Sequence, residues 1–149
     1  MKPRIAGAAA LLAASLATQT HAEETMDQTA ILETISAMTT AFAAGDIDGV
    51  MATYEPSAVV VAQPGQPVAG DGALRAMFAD FLASGVNFTY GAHEVVVAGD
   101  TGLHLMSWTA PGPDGPMSAL SVAVLQRQPD GSWRMVIDHP FGDAVMHRE

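Results

Sequence analysis

Four side chains in the second half of the chain could move a proton or hold a polar ligand: His104, Asp138, His139 and, as an aromatic wall, Trp108. Histidine titrates near neutral pH, and a carboxylate in apolar surroundings is drawn up toward it, so either group can serve as acid or base. Spacing decides which of them can meet. In extended chain His104, Met106, Trp108 and Ala110 share one face, and Trp133, Met135, Ile137 and His139 share another, with Asp138 and Arg134 pointing the opposite way. Alternation does not say which face turns inward, so three sites stay open: His104 with Trp108, His139, or Asp138 with Arg134. His139 is the first choice, because Pro140 follows it and the chain leaves its strand there. A plainer role competes in each case. A histidine can simply tie a strand to backbone, and an Asp138–Arg134 pair on a sheet exterior contributes little.

Metal chemistry has less support. His93 and Glu94 are neighbours on a strand and point to opposite faces, the chain has no cysteine, and its methionines are not clustered. Asp46 and Asp48 look like the start of a calcium loop, but the later ligands are missing and capping of a helix explains them better. No metal and no cofactor is therefore expected.

The elements that must position these residues are legible from pattern. Thr25 with Gln28 has capping-box spacing, which predicts a helix opening there. Ile31, Ile35, Met38 and Phe42 fall on one face of that helix, and Gly45 suits its end. Asp46 caps a second, short helix with Ile47, Val50, Met51 and Tyr54 inward. Ala58 to Ala62 is apolar on both faces, as in a strand covered on both sides, and Gln63 to Gly72 reads as a turn region. Leu74, Met77, Phe78, Phe81 and Leu82 form a full helical stripe between Asp71 and Gly85. Four strands follow, Phe88–Ala98, Leu103–Ala110, Met117–Gln128 and Trp133–His139, separated by Gly-, Pro- and Asp-rich breaks. Three helices and then a meander give an α+β fold with the helices on one face.

Residues 1–22 read as an address. Lys2 and Arg4 precede the apolar run Ile5–Ala17, which is too short to span a bilayer, and Thr20-His21-Ala22 places small residues before a cleavage point. Export to the periplasm or beyond is expected, leaving one domain over residues 23–149. All sixteen acidic residues lie after Ala22, and four arginines against them leave −12 with no lysine. Such a surface is a poor partner for nucleic acid or an anionic membrane and accommodates a cationic or neutral small molecule more easily. Without cysteine, the core must hold without disulfides.

Ala-Gly-Asp-x-Asp from Ala44 to Asp48, then Tyr54, the valine run, Gln63-Pro64-Gly65, Gly70, Phe78, Gly99-Asp100, Trp108, Asp130-Gly131-Ser132-Trp133-Arg134 and Asp138-His139-Pro140, in this order and spacing, resemble the SnoaL-like branch of the nuclear-transport-factor-2-like superfamily. The resemblance implies a cone, in which a curved antiparallel sheet wraps three helices around a pocket, and a homodimer. It places Met38, Phe42, Tyr54, Ala62 and Trp108 around that pocket. In the ketosteroid isomerases of the superfamily, a gapless count from Gly45 puts the oxyanion-binding tyrosine at Met38 and the proton-shuttling aspartate at Ala62. Neither residue can do that chemistry, so no ketosteroid isomerisation is expected. Two functions stay open: a pocket that binds a small, largely apolar molecule, and an isomerase, cyclase or dehydratase working by histidine or aspartate proton transfer.

Overall fold

The computed structural model describes residues 10–147, with side chains from Met26 onward. Helix α1 runs Ala10–Ala43, α2 Ile47–Ala52 and α3 Asp71–Ala83. The strands are β1 Tyr54–Gln63, β2 Gln66–Ala69, β3 Thr89–Ala98, β4 Thr101–Ala110, β5 Met117–Arg127 and β6 Trp133–His139. A short 3-10 helix, Gly142–His147, closes the chain. The six strands form one sheet in the order β2-β1-β6-β5-β4-β3, antiparallel at every junction except β1–β6, which is parallel. This is the expected α+β cone. No helix among the described residues is long and apolar enough to cross a membrane.

Two local expectations need correction. Thr25 does not open a helix, because α1 is already helical from Ala10. The residues before Thr25 are alanine-, leucine- and glutamate-rich helix formers that carry the turn through. Gln28, freed from capping, donates to the Val95 carbonyl at 3.1 Å and ties α1 to β3. The turn region after Gln63 contains β2, which pairs with β1. Pro67 hides this strand from a sequence pattern and fits only because β2 is an edge. Of the expected leader, residues 1–9 lie outside the described residues.

A further expectation fails at Tyr54, which begins β1 rather than ending the inner face of the second helix, because α2 stops at Ala52 and Thr53 caps it. Elsewhere the local chemistry works as anticipated. Asp46 Oδ1 accepts from the Gly49 amide at 2.9 Å and caps α2, and Gly45 and Gly85 end α1 and α3 with positive φ. Ile31, Val50, Leu74, Leu125 and Met135 are fully buried between the helices and the sheet. Arg127 on β5 staples this arrangement, because its guanidinium pairs with Asp27 of α1 and with Asp100 at 3.0 Å while lying 4.8 Å from the Trp133 ring. The expected cover on both sides of Ala58–Ala62 is incomplete, because Val59 and Val61, on the outer face of β1, are only half-covered by the chain itself.

Two β-bulges break the alternation on which the sequence pattern relied. On β6, Met135 faces Leu125 and Ile137 faces Val124, so Val136 is an extra residue. On β3, Tyr90 faces Trp108 and His93 faces Met106, three steps against two. Such an insertion turns every later side chain to the other face. Met135 is buried, Ile137 is 47% exposed, and Asp138 is buried at 6%. The expectation that Ile137 and His139 continue the face of Met135 is therefore overturned, and Asp138 takes the inward place.

Candidate functional site

Between α1, α3 and the sheet lies a half-open cavity of about 80 Å³. All five phenylalanines, both tyrosines and Trp108 line it, leaving Trp133 as the one aromatic residue elsewhere. Helix α1 contributes Met38 and Phe42, and α3 contributes Phe78 and Phe81. Around Trp108 the rings meet edge to face, with Phe88 and Trp108 centroids 5.1 Å apart at 86° and Trp108 and Phe141 5.3 Å apart at 80°, while Phe88 and Tyr90 stack at 25°. Such tilted pairs are the favoured aromatic geometry and fix one another's orientation. The Trp108 indole donates to the Pro140 carbonyl at 2.7 Å, and the Leu120 amide donates to Asp143 at 3.0 Å. These two bonds hold the closing segment to β4 and β5, with Phe141 in the cavity wall.

The polar content of the cavity is concentrated at one point. Tyr54 begins β1, Asp138 ends the inward face of β6, and the Tyr54 hydroxyl donates to Asp138 Oδ2 at 2.7 Å. Burial raises the Asp138 carboxyl from 3.8 to about 6, against the Tyr54 hydrogen bond, which favours the anion. Tyr54 is pushed well above its usual value, first by burial and then by the Asp138 charge. Tyr90, brought to the cavity by the β3 bulge, is raised by the same two causes. Ser121 on β5 adds a hydroxyl. An acid poised near neutral pH, with a phenol beside it and aromatic walls around it, can exchange a proton with a bound molecule or hold a polar group.

Of the residues singled out from sequence, Met38, Phe42, Tyr54, Trp108 and Asp138 lie in this cavity, and Ala62, His104 and His139 do not. Ala62 is eight residues along β1 from Tyr54, about 25 Å of strand. His139 points away from Asp138's side of the strand, and its Nδ1 accepts from the Phe141 amide at 3.2 Å, tying the strand end to backbone. His104 is inward on β4, as are Met106 and Trp108, yet it sits outside the lining. It is 1% exposed, its Nε2 has no partner, and its ring lies 5.8 Å from that of His93. Burial first, and the His93 charge second, lower it to about 4, so it is neutral at neutral pH. Arg134 does not pair with Asp138, because the bulge at Val136 separates their faces. Among the described residues no cluster of three or more metal-ligating side chains forms.

A domain model described as SnoaL-like matches residues 35–136. The chain belongs to the SnoaL-like domain family. The solved structures it resembles share its nuclear-transport-factor-2-like fold. An NTF2-like protein of unknown function from Pseudomonas putida is 22% identical, with a TM-score of 0.65 over 77% of this chain and 85% of that one. A protein of unknown function with a cystatin-like fold from Nostoc punctiforme is 16% identical, with a TM-score of 0.65 over 76% of this chain and 89% of that one. The CaMKII hub of S. rosetta is 21% identical, with a TM-score of 0.61 over 75% and 93%. At such identities the likeness is one of fold. No curated protein matches the sequence. Phe88, Tyr90 and Phe141 of this SnoaL-like domain went unselected by sequence, and the signal that could have found them is compositional: an aromatic-poor chain that places its rings around one pair of polar residues.

Proposed function

We propose that this SnoaL-like domain binds a small, largely apolar molecule whose single polar group meets Asp138 and Tyr54. The observation that carries this reading is the pairing of a buried carboxyl with a phenol at 2.7 Å inside an aromatic cavity. Apolar walls provide affinity by burial, and a few fixed polar atoms provide orientation. A cavity of about 80 Å³ suits a compact ligand. Native mass spectrometry of protein isolated from its own compartment should show a non-covalent adduct of small-molecule mass. Asp138→Asn should weaken that adduct while leaving the fold intact. Protein free of any adduct, and unshifted in melting temperature by every member of a set of small apolar compounds, would sink the reading.

A second reading has its own support. The Asp138 carboxyl, drawn up to about 6, is suited to give or take a proton at neutral pH, with Tyr54 steadying the anion. An isomerase, cyclase or dehydratase would need little more from the chain. Deuterium incorporated from solvent into a bound carbonyl compound, lost in Asp138→Asn, tests it directly.

We also propose export with cleavage after Ala22, supported by the basic start and short apolar run, which N-terminal sequencing starting at Glu23 would establish. A homodimer through the outer sheet face is supported by Ile137 at 47% and Leu120 at 37% exposure, side by side with half-covered Val122 and Val124.

A further inference from the structure

We propose that the cavity seats a small organic cation, an alkylated ammonium head, with Asp138 as its counter-charge and the rings of Trp108, Phe88 and Tyr90 as its walls. This rests on the pocket reading above and names the chemistry of the ligand. The cavity holds one carboxyl and, among the described residues, no lysine, arginine or histidine. A buried anion without a cation is costly, and the hydroxyl of Tyr54 compensates only part of the lost hydration. Such a site gains most from a ligand that brings the missing positive charge. An anionic ligand would meet like charge, and a neutral apolar one would strip more water from the carboxylate without replacing it.

The walls favour the same class. Aromatic faces carry negative potential and attract a cation within about 6 Å of the ring centre, most strongly when it is desolvated. Aliphatic side chains would fill an apolar cavity as well, yet eight of the nine aromatic residues of the chain are gathered here. The ninth, Trp133, already has a cation, the Arg127 guanidinium, 4.8 Å from its ring. Size narrows the choice. A dry cavity of about 150 Å³ takes benzene, and this one, at about 80 Å³, suits a head of a few heavy atoms.

Proton and cation then compete for one carboxyl. The titratable groups facing Asp138 are Tyr54 from β1 and Tyr90 from β3, both raised and neutral in the working range. The cavity residues of α1, α3, β4 and β5 carry no titratable group.

The test titrates the full chain with tetramethylammonium chloride and with tert-butanol, an uncharged molecule of similar shape, against a sodium chloride blank of equal ionic strength. Calorimetry and tryptophan emission, compared with that of Trp108→Phe, are the readouts. Above neutral pH the cation should bind about tenfold more tightly than the alcohol, and this advantage should shrink as pH falls below about 6. Asp138→Asn should remove the advantage. Phe88→Leu, which keeps apolar bulk and leaves the carboxyl untouched, should weaken the cation severalfold and not the alcohol. Alcohol bound as tightly as the cation, or an advantage indifferent to pH, overturns the proposal while the apolar pocket stands. Neither probe binding overturns both.

Discussion

The hydroxyl of Tyr54 lies 2.7 Å from Asp138 Oδ2, a contact that joins the first strand to the last across 84 positions of sequence. Because β1 and β6 are parallel neighbours, both side chains enter the cavity from adjacent strands and neither can shift without the sheet. The pair is thus preorganised by topology, and its protonation can be tuned by changing one atom.

Tyr54→Phe removes that atom. The hydrogen bond favours the Asp138 anion, so its loss should move the carboxyl midpoint above about 6, by about one unit or more for a charge-assisted bond. Carbon NMR titration of the carboxyl reads this shift, and an unmoved midpoint would mean that Tyr54 does not act on Asp138.

Two buried groups should set the pH dependence of stability in opposite directions. Asp138 rises from 3.8 to about 6 on folding. Its contribution is complete below the lower value and is lost as pH climbs through the upper one. The ionised carboxyl then costs roughly 3 kcal/mol at neutral pH. His104 falls from 6.5 to about 4. Its contribution is complete above the higher value and is lost as pH drops through the lower one. Between these limits the slopes oppose. Urea unfolding across pH should show Asp138→Asn losing stability on acidification, and His104→Gln gaining it. Identical profiles in both variants and wild type would refute the assignment.

Glycines provide a contrast in packing. A Cβ on Gly102 would lie 2.4 Å from Ile31 Cδ1, inside a fully buried contact between β4 and α1. Gly102→Ala should cost about 1–3 kcal/mol through overpacking. Gly72, in the first turn of α3, has nothing within 4 Å of such an atom. Gly72→Ala should stabilise by about 0.5–1 kcal/mol. Thermal melts of the two variants should therefore move in opposite directions.

The outer sheet face gives a test of assembly. Ile137, at 47% exposure, sits at the centre of the proposed contact. Light scattering at micromolar protein should give twice the chain mass, and Ile137→Asp should give one chain mass with an unchanged circular dichroism spectrum. A wild-type chain already at single mass would dismiss the dimer.

Much of the scaffold was legible in sequence because its signals are local. The α3 stripe, the Asp46 cap and the four long strands each depend on residues a few positions apart. The resemblance places Met38, Phe42, Tyr54 and Trp108 around the pocket, whereas period alone puts Tyr54 on α2 instead of at the start of β1 and leaves open which face of β4 turns inward. Reading failed where distant chain decides. The β2 edge is visible only once β1 is there to pair with it, and the placement of Asp138 over His139 depends on Val136 being one residue too many for its partner strand. Alternation groups His104 with Trp108 on one face of β4, but it gives neither the direction of that face nor the position along the strand that leaves His104 outside the cavity.

That extra residue carries a consequence for how such a chain can change. Removing Val136 would bring Ile137 directly after Met135 and restore strict alternation to β6, with Asp138 still facing the cavity and His139 still facing away. The bulge is what lets this strand carry one residue more than its partner without losing the acid from the pocket. A lineage could gain or lose that single codon and keep the same cavity, so length at this point of β6 is free to drift while the order of faces is not.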